Sequence, residues 1–253
     1  MHPGIPAGSV REDGLRRLGL RGPETSHRAG RVGPGVASQG FPVVIRRAMA
    51  ALRFLPPGTP APTVVPADGA GLRAQVSALG GSATVTLGTP TGPSGAGREL
   101  ASYTVTPAGS AGAAAAALAS LRRTTLTSCE QPGQVVPIGA GRTAVACPAA
   151  LGPVVTWQVG SWTLQVQALG GATPPLGPAG ELASWIRAAG LPRAPSGGLV
   201  SEVVPGSPAA GPAPTILLAW QVGTELAEVR SLADPKAAVE LAASMAPYPG
   251  TGG

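Results

Sequence analysis

From about residue 72 onward, apolar and polar positions alternate in short runs, the signature of strands rather than of long helices. Residues 72–79 and 83–87 flank Gly80-Gly81 and read as a hairpin, because paired glycines supply the positive φ that a two-residue turn needs. A Gly/Pro/Ser tract over 89–97 reads as a loop, 99–106 as another strand, and 111–123 as an Ala-rich helix. Ser110 stands where it can cap that helix, and Arg122 and Arg123 suit its C-terminal end. Earlier in the chain only 43–55 has a helical period. There Arg46, Arg47 and Arg53 share one side while Ile45, Ala48, Met49, Leu52 and Leu55 share the other, giving a short basic amphipathic helix that Pro56 and Pro57 stop. Residues 56–70 read as an extended Pro-rich linker, and 1–42 as an arm without periodicity.

An internal repeat organises the rest. Trp157-Gln158-Val159-Gly160 recurs as Trp220-Gln221-Val222-Gly223, 63 residues later. In each copy an apolar strand precedes the motif and an Ala-rich helix follows, carrying Glu181-Leu182-Ala183 or Glu240-Leu241-Ala242. The expected fold is therefore α+β over 71–250, an antiparallel sheet built from repeated strand-strand-helix units with the helices on one face. The units cover about 153–190 and 214–247, and 83–123 is a diverged third that lacks the tryptophan. With Val159-Gly160 as the turn, Gln158 opposes Ser161 and Trp157 opposes Trp162. Trp157, Val155, Leu164 and Val166 then form a dry side, and Thr156, Gln158, Ser161, Thr163 and Gln165 a wet side that is the expected interaction surface.

Composition adds two points. Gly 38 and Pro 29 stand beside 43% hydrophobic and only 12% charged residues, so the breakers punctuate apolar segments of a folded chain. The net charge of +6 lies wholly in residues 1–53, with nine arginines against three acids. The remaining residues balance to zero, which makes the folded part a poor surface for nucleic acid. Arg46, Arg47 and Arg53 leave one basic contact open, a peripheral one with an anionic membrane. No apolar run is long enough to span a bilayer, and residues 1–40 lack the apolar core of a secretory signal. That stretch resembles translated GC-rich upstream DNA, so the arm over 1–42 reads either as a disordered segment or as the product of a misplaced start.

The chemistry is mostly exclusion. The two histidines, His2 and His27, both lie in the arm, so no Ser-His-Asp, Cys-His or His-bearing zinc site can form in the body. Gly139-Ala140-Gly141-Arg142-Thr143-Ala144 mimics a dinucleotide fingerprint, but Pro148 interrupts the required helix and no acid stands about 20 residues on. A turn between strands explains these glycines. Glu225 and Glu228 fall on opposite sides of a strand and do not converge, while Glu181 and Glu240 read as charge placed toward helix N-termini. No catalytic residue, metal or cofactor is expected. The tryptophans read as core or as a ligand platform. Cys129 and Cys147 read as a disulfide in an oxidising compartment or as two free thiols, with the polar loop around Cys129 favouring the disulfide.

The order Trp157-Gln158-Val159-Gly160, a strand beginning Trp162-Thr163-Leu164, and Gly180-Glu181-Leu182-Ala183-Ser184-Trp185-Ile186 resembles an extracytoplasmic domain of Gram-positive bacteria. Such domains occur on envelope lipoproteins, anti-sigma factors and sporulation proteins, and Leu55-Pro56-Pro57-Gly58 before the sheet also fits. The resemblance implies a non-enzymatic binding or sensing module of the cell envelope and supplies no catalytic residue. The competing expectation is an intracellular scaffold whose basic arm lies on a membrane surface.

Overall fold

A computed structural model describes residues 40–52, 54–66, 71–90, 97–139, 141–206 and 213–250. The helices are α1 (Val43–Ala51), α2 (Ala111–Thr125), α3 (Leu176–Ala189) and α4 (Pro235–Ala243). The strands are β1 (Pro60–Pro62), β2 (Arg73–Leu79), β3 (Ser82–Gly88), β4 (Glu99–Pro107), β5 (Gln134–Gly139) and β6 (Arg142–Cys147). They continue as β7 (Val154–Val159), β8 (Trp162–Leu169), β9 (Gly198–Pro205), β10 (Thr215–Val222), β11 (Glu225–Ser231) and β12 (Met245–Pro247). Residues 1–39 and Arg53 lie outside the described residues. Local chemistry sets several boundaries: Gly80 and Gly81 turn β2 into β3 at positive φ, Ser110 accepts from the Ala113 amide to cap α2, and Asp234 caps α4 in the same way.

Ten strands form one sheet in the order β2-β3-β4-β11-β10-β9-β8-β7-β6-β5. Every pairing is antiparallel except β8 with β9, which is parallel and is bridged by α3. The pleat keeps two faces distinct across the halves. One register row runs Val85, Tyr103, Val229, Leu218, Val200, Leu164 and Trp157, all buried. Its neighbour runs Thr84, Thr104, Glu228, Ala219, Leu199, Thr163 and Gln158. Toward the β3–β4 end the second face carries hydroxyl pairs, Thr84 with Thr104 at 2.9 Å and Ser82 with Thr106 at 3.0 Å.

Helices α1, α3 and α4 cover the apolar face. The expected one-sided cover is corrected by α2, whose Leu118 packs with Leu199, Ala219 and Leu226 on the other face. With the partly buried Leu217 these three form an apolar island on the second face, and an Ala-rich helix with few large side chains suffices to cover it.

Two further expectations change. The hairpin turn is Gly160-Ser161 rather than Val159-Gly160, so Val159 pairs with Trp162 and Trp157 with Leu164. Gly160 sits at φ +58, a conformation that β-branched Val159 would resist. The shift preserves parity, so both faces keep their side chains. Of the expected linker 56–70, the described part, 56–66, is more than a spacer: Pro60–Pro62 is buried and pairs as β1 with β12, with flanking bonds from the Gly58 amide to the Tyr248 carbonyl and from the Thr63 amide to the Ser244 carbonyl carrying the donors that proline lacks. Likewise α1 belongs to the core through Ile45, Ala48, Met49 and Leu52, and Phe41 meets Tyr248 edge-on at 5.0 Å.

Among the polar groups on the apolar face, Glu202 of β9 lacks a partner for one of its oxygens, Oε2. It is 3% exposed, and burial together with the nearby Glu181 carboxylate pushes its pKa up to about 8. The folded chain therefore holds a proton that the unfolded chain, with an ordinary value of 4.5, releases. The stability tied to that proton is complete below 4.5 and is lost as pH rises toward about 8. Glu202→Gln should pull ahead of the parent chain in urea midpoint across that interval and hold a constant lead above it. Parallel midpoints from pH 4 to 9 would contradict this assignment.

Candidate functional site

The polar face is open beyond α2, and there the chain leaving that helix crosses the sheet. Residues 126–129 pass over β8 and β7, fixed at three places. Gln165 clasps Thr127 as a strand would, accepting from its amide at 2.7 Å and donating to its carbonyl at 2.8 Å, with a further bond to the Thr156 hydroxyl. Gln167 accepts from the Thr127 hydroxyl at 3.2 Å. Cys129 is joined to Cys147 at the end of β6 as a disulfide with a Cα separation of 5.6 Å, and the Glu130 amide donates to Pro148 beyond it. Of the two cysteine readings, the structure takes the disulfide.

Beside this strap lies a groove of about 690 Å3. Its polar lining includes Thr127, Ser128, Thr143, Thr156, Gln158 and Thr163, its apolar lining includes exposed Val135 and Val145, and among the described residues no charged side chain lines it. The groove opens where β6 parts from β7: their ladder ends at Val145 with Thr156, although β6 continues to pair with β5 and β7 with β8 as far as Val159. Trp157, at this parting, is 4% exposed with its indole Nε1 unpaired. Gln158 and Thr163 have no side-chain partner among the described residues and can hydrogen-bond a ligand.

The expected interaction surface is thus divided by the fold. Thr156, Gln158, Thr163 and Gln165 line the groove, whereas Ser161 belongs to the turn and donates to the Ala194 carbonyl at 2.7 Å. Gln165 is committed to the strap. Thr127 and Gln167, which sequence reasoning missed, complete the clasp; the signal for Gln167 was its two-residue spacing from Gln165, while nothing local marked Thr127. Trp157, Trp162 and Trp220 are buried in the core.

The remaining candidates stay apart. Gly139 and Gly141, at φ +85 and +70, turn β5 into β6, as the strand-turn reading requires. Glu225 faces the apolar side, where Thr59 donates to it at 3.1 Å and burial raises its pKa, while Glu228 on the polar face pairs with Arg230. Glu181 and Glu240 are each the sixth residue of their helices rather than in the first turn, and Glu240 pairs with Lys236. In α1, Arg47 is exposed and Arg46 half-buried, and the apolar side that would meet a membrane packs instead on the core. No helix among the described residues is long and apolar enough to cross a membrane. Comparison with known protein families, curated proteins and solved structures returns no match.

The strap makes a measurable prediction. Gln165→Leu strips two partners from the Thr127 backbone and should cost about 1–3 kcal/mol. The exchange of the Thr127 amide should speed up while that of β10 amides stays slow. Reduction of the disulfide should remove about 3 kcal/mol on the chain-entropy account. Unchanged Thr127 exchange in the Leu variant would show that the clasp does not hold the strap.

Proposed function

We propose that this chain is a non-enzymatic binding or sensing module of the cell envelope, working outside the cytoplasm and taking a neutral, hydrogen-bonding ligand in the polar-face groove. The observation that carries the reading is the lining itself, with hydroxyls and two amides beside Val135 and Val145 and no charged side chain among the described residues. A charged ligand would lose water there without gaining a counter-charge, whereas an uncharged oligosaccharide or a stretch of peptide main chain exchanges water for Gln158 and Thr163. The disulfide that ties the groove's strap supports an oxidising compartment.

The resemblance to extracytoplasmic domains of Gram-positive envelope lipoproteins, anti-sigma factors and sporulation proteins supports the same placement. So does a reading of the fold as duplicated. In that reading β7, β8 and α3 form one unit and β10, β11 and α4 another; Gly160 and Gly223 both turn at φ +58, and Glu181 and Glu240 hold the same helical position. The third unit, β3, β4 and α2, has diverged so that its helix lies on the other face.

Two arms test the proposal. Alkylation in fractionated cells should find Cys129 and Cys147 blocked until reductant is added and the protein in the envelope fraction. Titration with chitotetraose and with a blocked tetra-alanine peptide should shift amide resonances of Thr143, Gln158 and Thr163 for at least one probe, and Gln158→Ala should weaken that binding about tenfold. Freely reactive thiols in the cytosolic fraction would overturn the compartment. Silence of the groove toward both probes at 10 mM would overturn its assignment as the binding site.

A further inference from the structure

Of the neutral ligands open to the polar-face groove, we infer that it takes the extended main chain of a partner protein, with one peptide residue held by Gln158 and Thr163. This inference rests on the groove reading proposed above and narrows it to one class of ligand. Its ground is a pattern repeated within the sheet. On the polar face of β7 and β8, Thr156 stands opposite Gln165 and Gln158 stands opposite Thr163. The same two residue types therefore meet twice across the ladder, about 7 Å apart along it, with the strands exchanged.

The first pair shows what such a pair holds. The Gln165 side chain accepts from the Thr127 amide at 2.7 Å and donates to the Thr127 carbonyl at 2.8 Å. Its second amide hydrogen goes to the Thr156 hydroxyl at 3.1 Å, which fixes the orientation of the carboxamide. The partner of this Gln–Thr pair is thus one residue of extended main chain. The second pair offers the same groups, a carboxamide with a threonine hydroxyl across the ladder to orient it, and it lines the groove.

The backbone under Gln158 repeats the pattern. Val159 and Trp162 flank a two-residue turn and exchange both of their backbone bonds, so by alternation the N–H and C=O of Gln158 point away from β8, toward β6. The β6–β7 ladder stops at Val145 with Thr156, and the next pair, Thr143 with Gln158, is not made. Side chain and backbone of Gln158 each present one donor and one acceptor at this fork, as a strand partner requires.

Sugar chemistry fits the lining less well. Pyranose rings stack on exposed aromatic faces, and the one aromatic residue among the described lining, Trp157, is only 4% exposed. Leu126, Val135 and Val145 instead suit the apolar side chains of a peptide, and a lining without charge among the described residues suits an internal segment rather than a charged terminus.

The test uses the full chain and three uncharged probes. The first is a blocked copy of residues 125–128, Thr-Leu-Thr-Ser, the stretch that contains the residue held by Gln165. The second is the same peptide with its Leu–Thr amide replaced by an ester, which removes one N–H donor, and the third is chitotetraose. The peptide should shift the backbone resonances of Thr143 and Gln158 and the side-chain amide of Gln158, and leave Thr127 in place. The ester should bind about tenfold more weakly. Gln158→Met keeps the side-chain length without donor or acceptor, so it should weaken the peptide and bring amide and ester to equal affinity; Gln158 is exposed, and the urea midpoint should not change. Chitotetraose shifting the groove where the peptide does not would overturn this inference and leave the groove reading standing. Silence toward all three probes up to about 10 mM would overturn both. Equal binding of amide and ester to the parent chain, or a peptide that displaces Thr127 instead of meeting Gln158, would overturn the main-chain assignment alone.

Discussion

Two antiparallel halves become one sheet at a single line of contact, where Trp162 of β8, Gly198 of β9 and Trp220 of β10 share one register row. Because Gly198 has no side chain, the Trp162 indole lies over its backbone and meets Trp220, with ring centroids 5.9 Å apart. The indole is fixed at its other end by a bond from Nε1 to the Pro192 carbonyl at 3.1 Å. From the opposite face Arg122 of α2 donates to the Gly198 carbonyl at 2.8 Å, so this residue is held by an indole on one side and a helix side chain on the other. The parallel pair that starts here is what lets each half keep its apolar row in line with the other's.

The candidate site follows from that alignment. With the apolar rows continuous and covered by α1, α3 and α4, the rows of the second face are continuous too, and there the island around Leu199 and Ala219 needs a lid, apart from a smaller buried cluster of Cys147, Ala149 and Val154. Helix α2 serves as that lid, and its position delivers residues 126–129 onto β8 and β7, where Gln165, Gln167 and the disulfide hold them. The groove is therefore set by how α2 ends and by where β6 leaves β7. Its described lining is of hydroxyls, amides and apolar side chains.

How much of this was legible depended on the range of the interaction. The β2–β3 hairpin was written in Gly80-Gly81, and the two faces of β7 and β8 in strict alternation, which survived a misplaced turn because the slip preserved parity. The disulfide was foreshadowed by two cysteines in polar surroundings. The face chosen by α2 was not legible, since its Ala-rich sequence presents no single dominant stripe and the deciding partners, Leu199 and Leu226, are far away in sequence. The parallel pairing of β8 with β9 was hidden for the same reason: Gly198 reads as a loop residue until Trp162 and Trp220 are seen on either side of it. For the candidate site, Thr156, Gln158 and Thr163 were found by alternation, whereas the clasp on Thr127 is a contact across 38 residues that no local pattern announces.

The joint between the halves can be tested with one methyl group. A Cβ at Gly198 would fall 2.5 to 2.7 Å from three atoms of the Trp162 ring, so Gly198→Ala must displace the indole from Trp220. Equilibrium urea unfolding followed by tryptophan fluorescence should show a loss of about 1–3 kcal/mol with a shifted native emission spectrum. A variant as stable as the parent with an unchanged spectrum would show that the Trp162–Gly198–Trp220 contact does not join the halves.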